Sequence, residues 1–82
     1  MIFLIEYNRP EGRLVTFKRF QDSERLEAQN ARLDLELDSN RRRVNHEVVL
    51  LEATSEAAVR RTHWRYFKTL RQIAESAITD HK

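Results

Sequence analysis

Residues 2–5 of this chain read Ile-Phe-Leu-Ile, an unbroken apolar run at the start of the segment 2–7. Successive side chains of a strand point to opposite faces of a sheet, so this run is apolar on both faces. Continuous apolar runs belong in strands that have neighbours on both edges. The run therefore predicts the central strand of a sheet.

A second β-rich segment, 14–20, follows a stretch that holds the chain's single proline, Pro10, and its single glycine, Gly12. Apolar and polar residues alternate in this segment, which is typical of a half-buried strand with one wet face. Because Pro and Gly mark turns, residues 8–13 are predicted to join the two strands as a β-hairpin.

Residues 23–39 contain neither Pro nor Gly, and Asp22 before them can cap a helix by accepting a backbone N–H of its first turn. A set of residues at helical spacing falls within roughly 60° on a helical wheel and predicts a core-facing stripe. The residues of this predicted stripe are Leu26, Asn30, Leu33 and Leu37. The helix is expected to end near Asn40, a residue type that tolerates the left-handed conformation.

An alternative exists for residues 33–38, which also alternate between apolar and acidic side chains with period two. That pattern fits an additional strand. The helix is favoured because Leu33 and Leu37 continue the stripe that begins at Leu26.

A second apolar run, 48–51, predicts a buried strand, and Thr54 after it is placed to cap a helix that begins at Ser55. An apolar stripe about 120° wide carries this last helix to about Thr79. Its 25 or so residues would span about 37 Å, roughly twice the length of a six-residue strand. The helix is therefore expected either to break near Thr69 or to overhang the sheet.

The element order β-β-α-β-α predicts an α+β fold with a three-stranded antiparallel sheet in the order 2-1-3. A right-handed crossover is expected to place both helices on one face, which gives a two-layer sandwich. Residues 1–82 form a single domain in this interpretation, and residues 70–82 form an overhanging or frayed end of the last helix.

The composition excludes several classes of protein. The chain has 82 residues and no cysteine, which excludes a disulfide scaffold, a thiolate metal site and a cysteine nucleophile. A net charge of +2 excludes a heavily basic nucleic-acid protein, although residues 21–40 carry six acids against two arginines and residues 53–82 carry six cations against three acids. The sequence contains no signal-peptide pattern and no membrane-spanning run, so a cytoplasmic protein is expected.

The open face of a two-layer sheet is the first candidate functional surface. Two strands that are apolar on both faces would expose a patch that soluble monomers rarely leave uncovered. This patch predicts a homodimer that packs through the open face or through an exposed sheet edge, unless the C-terminal overhang folds back over the patch. The candidate dimer face comprises Ile2, Leu4, Val48 and Leu50, with Val49 and Leu51 as the alternative pair from the third strand.

The polar side of the last helix is the second candidate, because a tryptophan lies among cations on an arc of about 140°. Such a surface fits an anionic partner, since the ring can stack while the arginines bind phosphate or carboxylate. The alternatives are a solvated or internally paired cluster, a protein partner, or nucleic acid. The candidate interaction face comprises Arg60, Arg61, Trp64, Arg65, Lys68 and Arg71.

Catalytic and metal-binding signals are weak. The three histidines, His46, His63 and His81, are spaced unlike a compact metal site, and His63 is interpreted as a structural histidine on the core side of the last helix. No cofactor and no catalytic residue are predicted. The leading hypothesis is a homodimeric protein-interaction or regulatory module without catalysis. The alternative is a nucleic-acid-associated protein that uses the basic, Trp-containing face.

Overall fold

A computed structural model describes residues 1–68 of the chain. The strands are β1 (Ile2–Asn8), β2 (Arg13–Phe20) and β3 (His46–Glu52), and the helices are α1 (Arg25–Arg42) and α2 (Glu56–Thr62). Short 3₁₀ segments precede α1 at Asp22–Glu24 and follow α2 at Trp64–Phe67; the latter is called the aromatic turn below. This order confirms the predicted β-β-α-β-α arrangement. Among residues 1–68, no helix combines the length and the apolar content needed to cross a membrane.

The strands form one antiparallel sheet in the order β2-β1-β3, as predicted. The central strand is buried along the apolar run, and both Phe3 and Leu4 are 0% exposed although they point to opposite faces. The hairpin turn is also confirmed: Gly12 has φ 64°, a left-handed conformation that glycine adopts without steric cost. Its N–H donates to the Asn8 carbonyl at 2.8 Å, which closes the turn.

The two helices lie on opposite faces of the sheet, which corrects the prediction of a two-layer sandwich. Glu6 and Tyr7 are adjacent in β1 and therefore point to opposite faces. Arg42 in the last turn of α1 lies 3.9 Å from the Glu6 carboxylate. Tyr66 in the aromatic turn packs edge-on against Tyr7, with ring centroids 5.3 Å apart. The α+β class and the strand order stand, but the layers number three.

The handedness rule for crossovers explains why the prediction of one covered face was wrong. The rule constrains a helix that joins two strands of one sheet, and α1 is such a helix. α2 follows β3, and no further strand follows it within residues 1–68, so the rule does not fix its side. Because β1 is apolar on both faces, cover on the second face removes that apolar surface from water.

α1 is a helix throughout residues 33–38, but the face it presents to the sheet is not the predicted stripe. Its buried residues are Ala28 and Ser39, whereas the three leucines of the stripe are exposed. Leu35, the remaining leucine of α1, lies on the same side as Ala28 and Ser39 and is half-buried. The helix ends at Arg42, and the residue that follows it, Arg43, is left-handed with φ 55°, three residues beyond Asn40, where that conformation was predicted.

The second helix is shorter than predicted. Ser55 caps it by accepting the N–H of Ala58 at 3.1 Å, and the helical conformation ends at His63, which has φ −125° and ψ 42°. The break before Thr69 turns Tyr66 and Phe67 toward rings of the sheet. The predictions for residues 69–82, which include the overhang and Arg71, lie outside the described residues.

Candidate interaction surfaces

One row of exposed leucines runs along α1 on the side that faces away from the sheet. Leu26, Leu33 and Leu37, called the leucine row here, are 68%, 50% and 51% exposed. They fall within about 40° on a helical wheel, and Ala28 and Ser39 lie on the opposite, buried side. Large apolar side chains that are this exposed and this closely aligned mark a surface for association.

Charged side chains flank the leucine row, and their sign changes along the helix. Acidic residues predominate as far as Asp38, and three arginines follow at positions 41–43. Two of the charges are paired within the helix: Arg32 lies 3.8 Å from Glu36, and Arg42 lies 2.9 Å from Asp38. Exposed pairs of this kind contribute little to stability, so their charges remain available to a partner.

A cleft lies on the opposite face of the sheet, between the ends of β1 and β3 and the aromatic turn. Its volume is about 450 Å³. This cleft is called the aromatic cleft here. It is lined by Tyr7, Arg9, Glu47, Thr62, His63, Trp64, Arg65 and Tyr66. Two features of the fold bring these residues together. Tyr7 pairs with Glu47 across the β1–β3 ladder, and the break after α2 places the aromatic turn over this pair.

Glu47 is the polar centre of the aromatic cleft. The Tyr66 hydroxyl donates a hydrogen bond to Glu47 Oε2, and Arg9 lies 2.6 Å from Glu47 Oε1. These two contacts hold the pKa of the Glu47 carboxyl below its ordinary value, with the Tyr66 hydrogen bond as the larger cause. Partial burial and the neighbouring carboxylate raise the pKa of Tyr66 to about 12. The pair is therefore a neutral phenol bound to an ionised carboxylate across the physiological range.

Trp64 lies at the rim of the cleft and is 39% exposed. The Arg65 guanidinium lies 4.9 Å and the Lys68 ammonium 5.4 Å from the centre of its ring. An exposed indole with two cations beside it presents both an apolar surface and positive charge to a partner.

The predicted basic face is divided between two places because the helix ends at Thr62. Trp64, Arg65 and Lys68 are brought together at the cleft. Arg60 instead lies 4.4 Å from the centre of the Phe67 ring and hydrogen-bonds Glu56 at 2.9 Å. Arg61 is exposed in the last turn of α2.

The predicted dimer face lies beneath α1. Ile2 and Leu4 are 1% and 0% exposed, and Val48 and Leu50 are half-buried. The expectation that these four side chains face water is therefore corrected, because α1 covers this side of the sheet. The homodimer was predicted through this face or through an exposed sheet edge, so the face loses its predicted role, and the leucine row is a different surface that was not predicted from the sequence.

A buried acid–histidine pair lies on the α1 side of the sheet. Glu6, which is 3% exposed, accepts a hydrogen bond from the Thr16 hydroxyl at 2.8 Å, and its second oxygen lies 2.6 Å from His46 Nδ1. A carboxylate so enclosed is out of reach of a substrate, so the pair stabilises the sheet in the manner of a satisfied buried polar group. Within residues 1–68, no three His, Asp or Glu side chains converge as a metal site would require.

His63 is not the core residue that its place on the helical wheel indicates. It caps the end of α2, is exposed, and its ring centre lies 6.3 Å from that of Tyr66. The sequence also gave no sign of the contact between Glu47 and Tyr66, because nineteen residues separate them and the break at His63 creates it. One signal for the leucine row was present, namely the small residues Ala28 and Ser39 on the opposite side of the same helix.

Comparison of the chain with protein-family models, with curated proteins and with solved structures found no match.

Proposed function

We propose that this protein is a non-catalytic protein-interaction module of the cytoplasm that acts as a homodimer. The observation that carries the proposal is the exposure of the leucine row on α1, at 68%, 50% and 51%. Monomers rarely align exposed leucines in this way, and a second copy can bury them.

The leucine row supplies part of the free energy of such a dimer. Burial of a leucine side chain that is half exposed contributes roughly 1 kcal/mol, so six leucines from two copies contribute several kcal/mol before the cost of association. A dimer with a dissociation constant of about 1 μM requires about 8 kcal/mol net, so contacts of the residues around the row have to contribute the rest. The aromatic cleft, on the other side of the sheet, is the surface proposed for a partner protein, because Tyr, Trp and Arg are the residue types enriched at the centres of interfaces.

Catalysis is not part of the proposal. The carboxylates of Glu6 and Glu47, the least exposed of those with polar partners in the sheet, are both engaged in internal hydrogen bonds. Glu6 is also enclosed, and a general base has to reach its substrate within hydrogen-bond distance.

Sedimentation equilibrium tests the homodimer. The expected mass at micromolar concentration is twice the 9.9 kDa mass of one chain. Leu33→Lys places a charge in the middle of the leucine row, so it is expected to give the mass of one chain with an unchanged circular dichroism spectrum. Val15→Lys is the matched control, since Val15 is 41% exposed but lies on β2, away from the row.

Two results would count against the proposal. A wild-type mass of one chain up to about 100 μM, where even weak specific dimers form, would reject the homodimer. A Leu33→Lys variant that remains dimeric would reject the leucine row as the dimer surface.

A second candidate function is binding of single-stranded nucleic acid at the aromatic cleft. Exposed Trp64 beside Arg65 and Lys68 favours it, because bases stack on aromatic rings while cations bind the backbone. Trp64 is the single tryptophan of the chain, so its fluorescence reports directly on this site. Quenching by an oligothymidylate with an affinity that falls log-linearly with salt supports nucleic acid, whereas unchanged fluorescence leaves the protein-partner proposal in place.

A further inference from the structure

We infer that the partner protein binds as an extended segment that adds a fourth strand to the outer edge of β3 and inserts one side chain into the aromatic cleft. This inference rests on the proposed recognition of a partner protein and specifies how the partner is held. It follows from the hydrogen bonding of β3, from the contrast between the two edges of the sheet, and from the two clefts that flank β3.

β3 directs half of its backbone groups to its outer edge. The ladder between β1 and β3 keeps one register throughout, and Met1 and Ala53, just beyond its end, donate to each other's carbonyl at 3.0 and 3.1 Å. Bonded and non-bonded positions alternate in an antiparallel ladder, so the odd-numbered residues of β3 bond to β1. Within residues 1–68, no strand pairs with the other edge of β3. The residues whose N–H and C=O groups point to that edge are His46, Val48, Leu50 and Glu52.

The two edges of the sheet differ in their protection against further pairing. β2 has a register shift opposite Glu6 and Tyr7, and Lys18 and Arg19 are exposed on it. Bulges and charged side chains, lysine above all, are the means by which edge strands avoid pairing with another chain. β3 has no register shift and no Lys, Arg or Pro, and its centre is the apolar run 48–51. An edge of this kind is a template for an added strand.

The outward groups of β3 identify the occupant as a polypeptide backbone. They recur at every second residue, about 7 Å apart, and an extended chain carries donors and acceptors at the same spacing. Val49 and Leu51, on the α2 face of the strand, are half-buried, and apolar side chains of an added strand can complete their cover. The proposed homodimer uses the leucine row on the far side of α1, so it leaves this edge to a different partner.

Two clefts flank the same part of β3 and specify the side chains of the segment. Glu47 lines the aromatic cleft on the α2 face. On the α1 face lies a groove of about 260 Å³, which carries the carboxylate of Glu36 and the amide of Asn40. Successive side chains of an added strand point to these faces in turn, so we expect an aromatic side chain beside Glu47 and a hydrogen-bonding one beside Val48. The groove is lined by Glu36, Ser39, Asn40, Val44, His46 and Val48.

Amide hydrogen exchange, followed by NMR at several protein concentrations, tests the state of the edge. In the free protein we expect the amides of Val48 and Leu50 to exchange about tenfold faster than those of Val49 and Leu51 at every concentration, because the latter two bond to β1. Slow exchange of Val48 and Leu50 at every concentration would show that the chain itself covers the edge. Slow exchange at high concentration alone would show that a second copy occupies it. Either result overturns the inference.

Peptides selected from a phage-displayed library of random nonapeptides test the occupant. Val48→Pro removes one outward N–H and leaves the hydrogen bonds to β1 in place. Val48→Ala is the matched control, because it shortens the same side chain and keeps the N–H. The selected peptides are expected to bind Val48→Pro about tenfold more weakly than Val48→Ala, with the fold of both variants verified by circular dichroism. In the wild-type chain the same peptides are expected to slow the exchange of the Val48 and Leu50 amides.

The outcomes separate the inference from the proposed function. Peptides that bind the two variants equally well, or that leave the Val48 and Leu50 amides of the wild-type chain unprotected, overturn strand addition; the proposed recognition at the aromatic cleft then stands if they change the fluorescence of Trp64. A selection that yields no binding peptide overturns the inference and the proposed recognition together, and the homodimer is still decided by its sedimentation mass. Protected amides, together with weaker binding to Val48→Pro, support the inference.

Discussion

The two faces of the sheet are covered by different kinds of contact. On the α1 face, small residues such as Ala28 and Ser39 lie against the sheet, and the pair Glu6–His46 is enclosed there. On the α2 face the contacts are between rings: Phe17 lies 5.5 Å from Phe3 and 5.2 Å from Phe67, measured between ring centres. One central strand thus has a tight, partly polar cover on one side and an aromatic cover on the other.

The difference determines where large apolar side chains remain exposed. α1 approaches the sheet through Ala28, Ser39 and the half-buried Leu35, and the leucine row lies on the far side of the helix. The aromatic cover uses most of its large side chains internally, and Trp64 is the large apolar residue that remains partly exposed there. The α1 side is therefore the surface proposed for self-association, and the α2 side is the surface proposed for recognition of a partner.

The largest expected effect concerns the aromatic cover. Phe17→Ala removes a ring that contacts two others and lies below the Arg60 guanidinium, so we expect a loss of about 3 kcal/mol in the free energy of unfolding. Phe17→Leu keeps most of the apolar volume and is expected to lose about 1 kcal/mol, the contribution of aromatic pairing. Urea denaturation at one protein concentration measures both. Equal losses for the two variants would show that ring geometry, and not the buried apolar volume of Phe17, stabilises this face.

The next effect concerns the polar part of the α1 face. Glu6→Ala leaves the Thr16 hydroxyl and His46 Nδ1 without their acceptor in a buried place, so a loss of about 2 kcal/mol is expected. In a double-mutant cycle with His46→Ala, the loss in the double variant should be smaller than the sum of the two single losses, since both single variants remove the same contact. Lys18→Ala on β2, an exposed residue on the same face of the sheet, is the control and is expected to change stability by less than about 0.5 kcal/mol.

The sheet was predictable because its signals are local. The apolar run of β1, the alternation in β2 and the turn at Gly12 lie within twenty residues and together define the hairpin and the central strand. The order of the strands followed from connection lengths. The side on which α2 packs has no local signal, because it depends on how much apolar surface of β1 remains uncovered.

The candidate sites were less predictable because they, too, depend on packing that has no local signal in the sequence. A helical wheel shows that Leu26 and Leu33 share a face, but not whether that face or the one with Ala28 meets the sheet. The aromatic cleft depends on the break at His63, and the apolar periodicity of the sequence continues across that position. Tertiary packing, through the rings of Tyr66 and Phe67, outweighs the local preference for a longer helix.

A smaller effect is expected at the aromatic cleft and is best measured as a function of pH. The pKa of Tyr66 is raised from 10.0 to about 12 by burial and by Glu47, so the stability that it contributes is complete below pH 10 and is lost as pH rises through about 12. Glu47 has a lowered pKa, so its contribution is complete above its ordinary value of 4.5 and is lost as pH falls through its folded-state pKa. The contact between the two is therefore strongest between about pH 5 and pH 10.

Tyrosinate absorbance, recorded with circular dichroism, tests this expectation. The wild-type chain should show an ionisation step near pH 12 that is absent from Tyr66→Phe. Glu47→Gln removes the negative charge beside the phenol and should move that step to lower pH. A step that stays in place in Glu47→Gln would assign the shift to burial alone and remove Glu47 from the polar centre of the cleft.

The smallest effect on stability is expected on the exposed side of α1, which faces away from the sheet. Leu26→Gln, made in the Leu33→Lys background so that unfolding involves one chain, should change the free energy of unfolding by less than about 0.5 kcal/mol, because Leu26 is 68% exposed. Ala28→Leu on the buried side of the same helix is expected to lose about 2 kcal/mol through overpacking against the sheet. If the two variants were equally destabilised, the leucine row would be packing within the monomer, and self-association would have no surface there on which to form.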